Sequence, residues 1–325
     1  MSRRTLKAPN GEDLRSLVEY AVLAPSSHNT QPWYFTVSED AIDLYADRTR
    51  ALPVNDPDDR ELVISCGCAL MNLRVAAARA KVPVHTRILP DGESGDLLAT
   101  VGISSVPAEQ AAEAELFPAI IGRRTYRKRF AEKQVPEVVV AALSTAASEE
   151  GAWFEAITWE QARQDVAALV TEGDSIQWAD PSWRRELAAW MHPRRKGDGL
   201  TVPGLIAPVA QAVVRTFDMG NGVGAKDRQL AEGSPLLAVL GTDGDGVAEW
   251  MSVGQALQRV LLTAYQAGLQ ASYLNQPIQV PALRPKIEHI LTSAGLPQIL
   301  LRLGYPDGEI PATPRRRLDE VIEGQ

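Results

Sequence analysis

Apolar positions along this chain recur in two periods, and the same order of periods occurs twice. Leu14, Leu17, Val18, Ala21 and Val22 fall at helical spacing, and Pro25 ends the run because its ring clashes with the preceding turn. Trp33, Tyr34, Phe35 and Val37 then read as an extended, aromatic strand. Ser65–Ala80 is apolar on more than one face, with small residues interspersed, which predicts a buried central helix. Leu97–Gly102 (LLATVG) follows as a strand ending in glycine. The second half repeats this order: a helix over Val138–Ala147, a strand over Trp153–Thr158, a central helix over Ser252–Ala267, and a strand ILLRLG over Ile299–Gly304.

The two central helices overlay at a shift of 187 residues. Gly67 meets Gly254, Ala69 meets Ala256, Leu70 meets Leu257, Leu73 meets Val260, Val75 meets Leu262 and Ala77 meets Ala264. Two Ala/Leu-rich helices can match through composition alone. The matching order of the flanking elements argues instead for one α+β unit fused in tandem. The join falls near Phe117–Gly122, which gives a first half over 1–118 and a second over 119–325.

The halves differ in their polar segments. Ala24–Trp33 reads APSSHNTQPW, a loop of short hydrogen-bonding side chains between a helix and a strand. Ser, Asn and Pro are ordinary turn residues, but ten such positions in this order suit the grip of a flat, heteroatom-rich ligand. The second half has ASEEGAWFE (Ala147–Glu155) in its place. It carries RRTYRKRF (Arg123–Phe130) ahead of its first helix and PRRRLDEV (Pro314–Val321) near its end, whereas the first half has only a short relic, RRTLKAP. Arginine offers a planar fork of donors to phosphate and stays charged. Two clusters far apart in sequence can converge on one phosphate-bearing ligand, although either alone reads as solvated surface.

Composition narrows the classes. The 325 residues carry a net charge of -8, which argues against nucleic acid as the main partner. No apolar run approaches bilayer-spanning length, and the start MSRRTLKAPNGEDL lacks the apolar core of a secretory signal, so a cytoplasmic protein is expected. Cys66 and Cys68, two apart on a helix, do not face each other and read as small core residues. His28, His85, His192 and His289 show no metal-ligand spacing, and no Ser-His-Asp or GxSxG arrangement stands out.

Taken jointly, APSSHNTQPW, RRTYRKRF, SCGCALMNLRV, GQALQRVLLTA and LPQILLRLGYP with PRRRLDEV resemble the FMN-binding nitroreductase superfamily. The tandem arrangement is similar to its Acg branch, in which one chain holds two nitroreductase-like halves. The resemblance implies an α+β fold with two antiparallel sheets flanked by helices, forming an intrachain pseudo-dimer that can act as a monomer. It implies one FMN per chain, with NADH or NADPH as co-substrate. Pro25, Ser26, Ser27, Asn29 and Gln31 would form one wall. Arg123 would meet the phosphate or ribityl chain, Thr125 the ribityl or ring, and Arg127 the N1–O2 edge, with Arg124 also among the cofactor-binding residues. Asn275 and Gln276 of SYLNQP would approach N5, and Arg315 and Arg316 the phosphate, with the register inside Arg315–Arg317 open. No side chain is assigned a catalytic acid or base role.

Thr171–Glu232, with Trp178, Trp183, Trp190, His192 and the turn-rich GDGLTVPG, corresponds to an insertion that borders the substrate space. It reads as a lid that admits substrate or as a cover that excludes it, while core packing also accounts for the tryptophans. MGNGVG (Met219–Gly224) lacks the strand and acid of a dinucleotide fingerprint and reads as a loop; GTDGDG (Gly241–Gly246) reads as a turn after a strand. The favoured expectation is hydride transfer from NAD(P)H through FMN to a nitroaromatic, quinone or similar small molecule. The alternative is an FMN-sequestering protein with its flavin covered.

Overall fold

A computed structural model describes residues 7–8, 11–105, 111–191, 197–200 and 207–323. In chain order the first half contains α1 (Leu14–Ala21), β1 (Trp33–Val37), β2 (Ala41–Ala46), α2 (Arg60–Arg79), β3 (Val84–Ile88) and β4 (Leu97–Ile103). Short helices α3 (Ala111–Glu115) and α4 (Phe117–Gly122) lead into α5 (Glu137–Ser148) and β5 (Trp153–Ile157). Four helices follow: α6 (Glu160–Ala179), α7 (Pro181–Ala189), α8 (Ala207–Thr216) and α9 (Gly220–Glu232). The chain closes with β6 (Leu236–Thr242), α10 (Val247–Gln266), β7 (Gln270–Tyr273), α11 (Gln276–Gln279), α12 (Arg284–Ile290), β8 (Leu296–Gly304) and α13 (Leu318–Val321).

The strands form two four-stranded antiparallel sheets with one topology, β1-β2-β4-β3 and β5-β6-β8-β7. Even the irregularity recurs, in β2 between Leu44 and Tyr45 and in β6 between Leu240 and Gly241. The α+β tandem fold implied by the resemblance is therefore present. The stretch expected to join the halves, Phe117–Gly122, folds as helix α4, whose Ala119 and Ile120 pack with Met71 and Leu262 of the two central helices.

The central helices cross at the repeat's own glycines. A Cβ on Gly67 would lie 2.6 Å from the Met251 carbonyl oxygen and 2.9 Å from the Cα of Gly254. Only hydrogen fits between the backbones there, so equivalent positions of the two helices touch. One continuous apolar core results, running from Leu17, Phe35 and Leu98 of one half to Leu240, Leu257 and Leu301 of the other.

Helix α2 modifies one sequence expectation. It is 20 residues long and contains an 18-residue window of mean hydropathy 1.4, long and apolar enough to cross a membrane by length and composition. The helix is instead buried inside the protein, with 94% of its apolar window covered, which explains why it is apolar all round. It also begins five residues earlier than periodicity suggests, because the Asp56 carboxylate accepts from the backbone N–H groups of Glu61 (3.0 Å) and Leu62 (2.9 Å).

Between β5 and β6, helices α6 to α9 replace the three-residue turn that joins β1 and β2. Gly220, Gly222 and Gly224 of MGNGVG lie inside α9 rather than in a loop. Their small size lets α9 pack against α6, since a Cβ on Gly220 would touch Trp178 and one on Gly224 would touch Thr171. Packing thus overrides the low helix propensity of glycine. GTDGDG is the turn after β6, as expected; there Asp245 pairs with Arg284 (2.6 Å) and accepts from the Trp250 indole (2.8 Å).

Candidate functional site

APSSHNTQPW folds as the spacing suggests, with α1 before it, β1 after it and a single 3-10 turn over Ser27–Asn29. His28, Asn29 and Gln31 hold left-handed backbone angles (φ 49°, 56° and 51°), costly for residues with a Cβ and typical of constrained functional loops. Ser26 Oγ closes the loop by accepting from the Gln31 N–H at 2.9 Å. The segment after α4 runs extended beside β7, tied by Tyr126 N–H to the Ala271 carbonyl (2.9 Å). Extended alternation turns Tyr126 into the core and leaves Arg123, Thr125 and Arg127 on the other side.

A cavity of about 460 Å³ lies where these segments meet. Of the residues expected to form a site, Pro25, Ser26, Ser27, Asn29, Arg123, Arg124, Thr125, Arg127, Asn275, Gln276 and Arg315 all line it. Gln31 and Arg316 do not. The buried Gln31 side chain donates to the Gly197 carbonyl (2.6 Å) and accepts from the Arg316 N–H (2.9 Å). Arg316 turns to the first sheet and donates to the carbonyls of Gln31 (3.0 Å), Trp33 (3.1 Å) and Glu320 (2.6 Å). Both are therefore ties between the tail and the loop. Within the arginine run, Arg315 faces the cavity, Arg316 faces the sheet, and Arg317 pairs with Asp319 on the surface.

One end of the cavity is strongly basic. Arg123 and Arg315 both donate to the Leu23 carbonyl, at 3.2 and 3.1 Å, and Arg315 also reaches the Ala24 carbonyl and Asn29 Oδ1. Arg124 is fixed by its N–H to Gln270 Oε1 at 2.8 Å. Among the described residues, Arg123, Arg124, Arg127 and Arg315 form no ion pair with a carboxylate. The Nε atoms of Arg123, Arg124 and Arg315 are buried without a hydrogen-bond partner. Burial pushes the Arg315 guanidinium below the ordinary arginine range, and the neighbouring charges of Arg123 and Arg124 push it further. Burial lowers Arg123 as well, and desolvation lowers Arg127, which lines the cavity but has a solvent-exposed side chain.

The other walls carry groups that the sequence did not single out. Glu61, 2% exposed, accepts from Ser27 Oγ (2.5 Å), Asn275 Nδ2 (3.1 Å) and Gln279 Nε2 (2.9 Å), and so joins the loop of one half to SYLNQP of the other. Asn275 in turn accepts from the Leu300 N–H at 2.9 Å. Tyr273 OH and Gln276 Oε1 are buried without partners, and burial pushes the Tyr273 phenol up. His28 also lines the cavity. Burial lowers its pKa to about 4, against the opposing influence of Glu61 and with that of Arg127. Cys68, expected in the core, is buried but also reaches the cavity wall; burial pushes its thiol up to about 12, and it donates to the Gly254 carbonyl. Among the described residues, no group of three His, Cys, Asp or Glu side chains is placed to hold a metal ion.

The inserted helices supply Asp174, Gln177, Trp178, Trp183, Val223 and Asp227 to the cavity. Trp178 and Trp183 pack edge to face at 5.4 Å, and the Trp183 indole donates to Asn55 Oδ1 at 2.9 Å. Trp190 lies under the Arg50 guanidinium. Glu186 accepts from the N–H groups of Val54 and Asn55, both at 2.9 Å, which pins the insert to the first half. His192 lies outside the described residues, as do the second half of GDGLTVPG (201–204) and most of RRTLKAP.

No protein-family model matches the chain. It is 31% identical over 325 residues to "Putative NAD(P)H nitroreductase Rv3131" of Mycobacterium tuberculosis, covering 97% of this chain and 92% of that protein. It is 30% identical over 317 residues to "Putative NAD(P)H nitroreductase acg" of the same species, covering 95% of each. Among solved structures, the FMN-dependent nitroreductase NfnB from Mycobacterium smegmatis in complex with NADPH covers 65% of this chain and 99% of its own, at 18% identity and a TM-score of 0.43. With relatives at this level of identity along nearly its whole length, the chain belongs to the nitroreductase family, among its Acg-type members.

Proposed function

We propose that the cavity binds one FMN per chain and that the chain is an oxidoreductase passing hydride from NADH or NADPH to a small acceptor such as a nitroaromatic or a quinone. One observation carries this reading: three arginines meet at one end of the cavity with no carboxylate among them and with a buried, unpartnered Nε on each. A phosphate group supplies the missing acceptors in the geometry that guanidinium forks favour. The names of the relatives, as NAD(P)H nitroreductases, agree with it.

The remaining lining suits a flat, heteroatom-rich ring. Buried Gln276 Oε1, Tyr273 OH and His28 Nδ1 await partners, and the loop offers Ser26, Ser27 and Asn29. Bound FMN would supply the hydride acceptance and donation that no side chain here provides. Arg123, Arg124 and Arg315 would hold its phosphate, with Thr125 beside them. Arg127, free of any carboxylate, would present a fixed positive charge favouring negative charge on the bound ring. Glu61 would hold Asn275 and Ser27 in place. His28 is uncharged at neutral pH and serves as a hydrogen-bonding group, and Cys68 stays a thiol rather than a nucleophile.

The walls come from both halves, so a single chain supplies what two subunits would. Its mirror position is filled. Gln255, the repeat counterpart of Cys68, accepts from Arg74 at 2.8 Å, and Arg74 and Arg259 both pair with Glu150, at 2.6 and 2.7 Å. These ion pairs take the space of a second pocket and support one cofactor per chain. The test is to saturate the purified chain with FMN, count flavin per chain by absorbance, and add NADH or NADPH without oxygen. One FMN and prompt bleaching are expected. A chain that takes no FMN, or whose flavin stays oxidised with both nicotinamides, overturns the reading.

A further inference from the structure

The cavity wall contributed by the insert contains two acids that the binding of a phosphate-bearing cofactor does not explain. Asp174 on α6 and Asp227 on α9 both line the cavity. A single nitrogen links them: Gln276 Nε2 donates to Asp174 Oδ1 at 3.2 Å and to Asp227 Oδ2 at 2.9 Å, one hydrogen to each. Asp174 is 2% exposed, and its second oxygen, Oδ2, is buried with no hydrogen-bond donor. A buried carboxylate oxygen that no protein group donates to is a place for a proton.

Glycines bring the pair together. A Cβ on Gly173 would lie 2.8 Å from the Gln276 Cβ, and one on Gly224 would lie 3.5 Å from the Asp174 Cβ. The three helices approach closely enough for the acids to share one amide because these positions are bare. The charged groups facing the pair are Lys226 on α9 and Arg302 on β8, both acting on Asp227. Neither pairs with it; Arg302 is spent on the Tyr126 and Lys128 carbonyls, at 2.9 and 3.0 Å. Arg127 stands near Arg302. Burial pushes Asp174 up to about 7, helped by the charge of Asp227 and opposed by the Gln276 hydrogen bond. Asp227 is raised as well, chiefly by burial.

We propose that Asp174 and Asp227 form a carboxylic acid–carboxylate pair that holds one proton in the cavity wall and gives it to the acceptor as that acceptor receives hydride. The proposal rests on the reductase reading above. A quinone that takes a hydride and this proton becomes a hydroquinone; a nitro group that takes both becomes a nitroso group and water. The acid O–H bond breaks, an acceptor O–H bond forms, and the resulting carboxylate regains a proton from solvent. The hydride and its two electrons come from NADH or NADPH. A general acid at this position contributes about 100-fold or more to the proton-coupled step.

Two experiments test it. The first follows the aspartate carboxyl carbons of the full-length, 13C-labelled protein by NMR from pH 5 to 9, before and after FMN is added. One carboxyl is expected to titrate near neutrality. That signal disappears in Asp174→Asn, and the remaining acid of the pair moves back toward ordinary aspartate values. A pair ionised throughout this range overturns the proposal, whether or not the protein is a reductase. The second compares reduction by NADPH with re-oxidation by 1,4-benzoquinone in rapid mixing. Asp174→Asn is expected to slow re-oxidation about 100-fold relative to reduction, with loss of the wild-type decline at alkaline pH. Unchanged re-oxidation in both Asp174→Asn and Asp227→Asn sinks the acid role while leaving the reductase reading standing. Failure of wild-type FMN to bleach sinks the reading itself.

Discussion

Replacing Gly67 with alanine tests the architecture at its tightest point. The added Cβ would sit 2.6 Å from the Met251 oxygen, 2.9 Å from the Gly254 Cα and 3.2 Å from the Gln255 nitrogen. Relaxed contacts between carbon atoms lie near 3.5–4.0 Å, so α2 and α10 must part by roughly 1 Å. The obstacles are backbone atoms at mid-helix and cannot rotate away. A gap of that size forfeits about a quarter to a half of each dispersion contact along the crossing. Overpacking of this kind costs about 1–3 kcal/mol, and the lost contacts add to it. Alanine returns about 1 kcal/mol through helix propensity. The net expectation is a destabilisation of about 2 kcal/mol or more in equilibrium urea denaturation. FMN affinity should fall as well, because Glu61, Ser65 and Cys68 of α2 and Leu257 of α10 all line the cavity. Gly254→Ala should behave alike, since its Cβ meets Ile64 and Gly67 backbone. Both variants within 0.5 kcal/mol of wild type (about the spread of neutral surface changes) would refute the claim that the halves touch at these glycines.

Three further outcomes separate roles inside the site. Arg315→Ala should weaken FMN binding about 100-fold in a fluorescence titration, whereas Arg316→Ala should lower unfolding stability by about 2 kcal/mol with a much smaller effect on affinity, because it strands the carbonyls of Gln31 and Trp33. Arg127→Ala should lower the flavin midpoint potential measured by dye equilibration, since the reduced, negatively charged form loses its nearby cation; an unchanged potential would remove Arg127 from the ring. Asp174 holds its proton longer in the fold than in the unfolded chain, so its contribution is complete below about pH 4, falls away between pH 4 and 7 and is absent above. The rise from 3.8 to about 7 amounts to at most roughly 4 kcal/mol, and Asp174→Asn should flatten wild-type stability over that window; parallel pH curves would refute it.

Burial patterns made the frame legible. Strands covered on both faces and helices apolar all round leave a strong signal, and the internal repeat pairs Gly67 with Gly254, but only the fold shows that the two helices cross there. Side-chain direction was less legible. Gln31 belongs to the polar loop, but left-handed backbone at His28, Asn29 and Gln31 breaks simple alternation and turns it toward the tail. Three consecutive arginines in PRRRLDEV cannot reveal which one faces inward; that depends on Arg316 finding the carbonyls beside β1. Glu61 was hidden because an acid in the first turn of a helix already has a reason to be there, the helix dipole. Asp174 and Asp227 were hidden differently. They lie 53 residues apart on helices whose approach depends on Gly173 and Gly224, and three glycines in MGNGVG argued locally for a loop.

The same dependence explains why the two halves could diverge without losing the site. Each half positions the other's functional groups. The insert of the second half is held by Glu186 to backbone N–H groups of Val54 and Asn55 in the first. The tail arginine Arg315 is held by carbonyls of Leu23 and Ala24, also in the first. The first half's Glu61 holds Asn275 and Gln279 of the second. Symmetry survives where both halves need it, in sheet order and at the glycine crossing. It is lost at the mirror of the cavity, where Arg74, Arg259, Glu113 and Glu150 form a largely buried ion-pair network. Such a network is strongly destabilised by removing one member but contributes little beyond the apolar packing it replaces. If the chain binds one FMN, as proposed, the role of the network is exclusion: its ion pairs would occupy the mirror position and leave the tail, the loop and the insert to specialise around a single site.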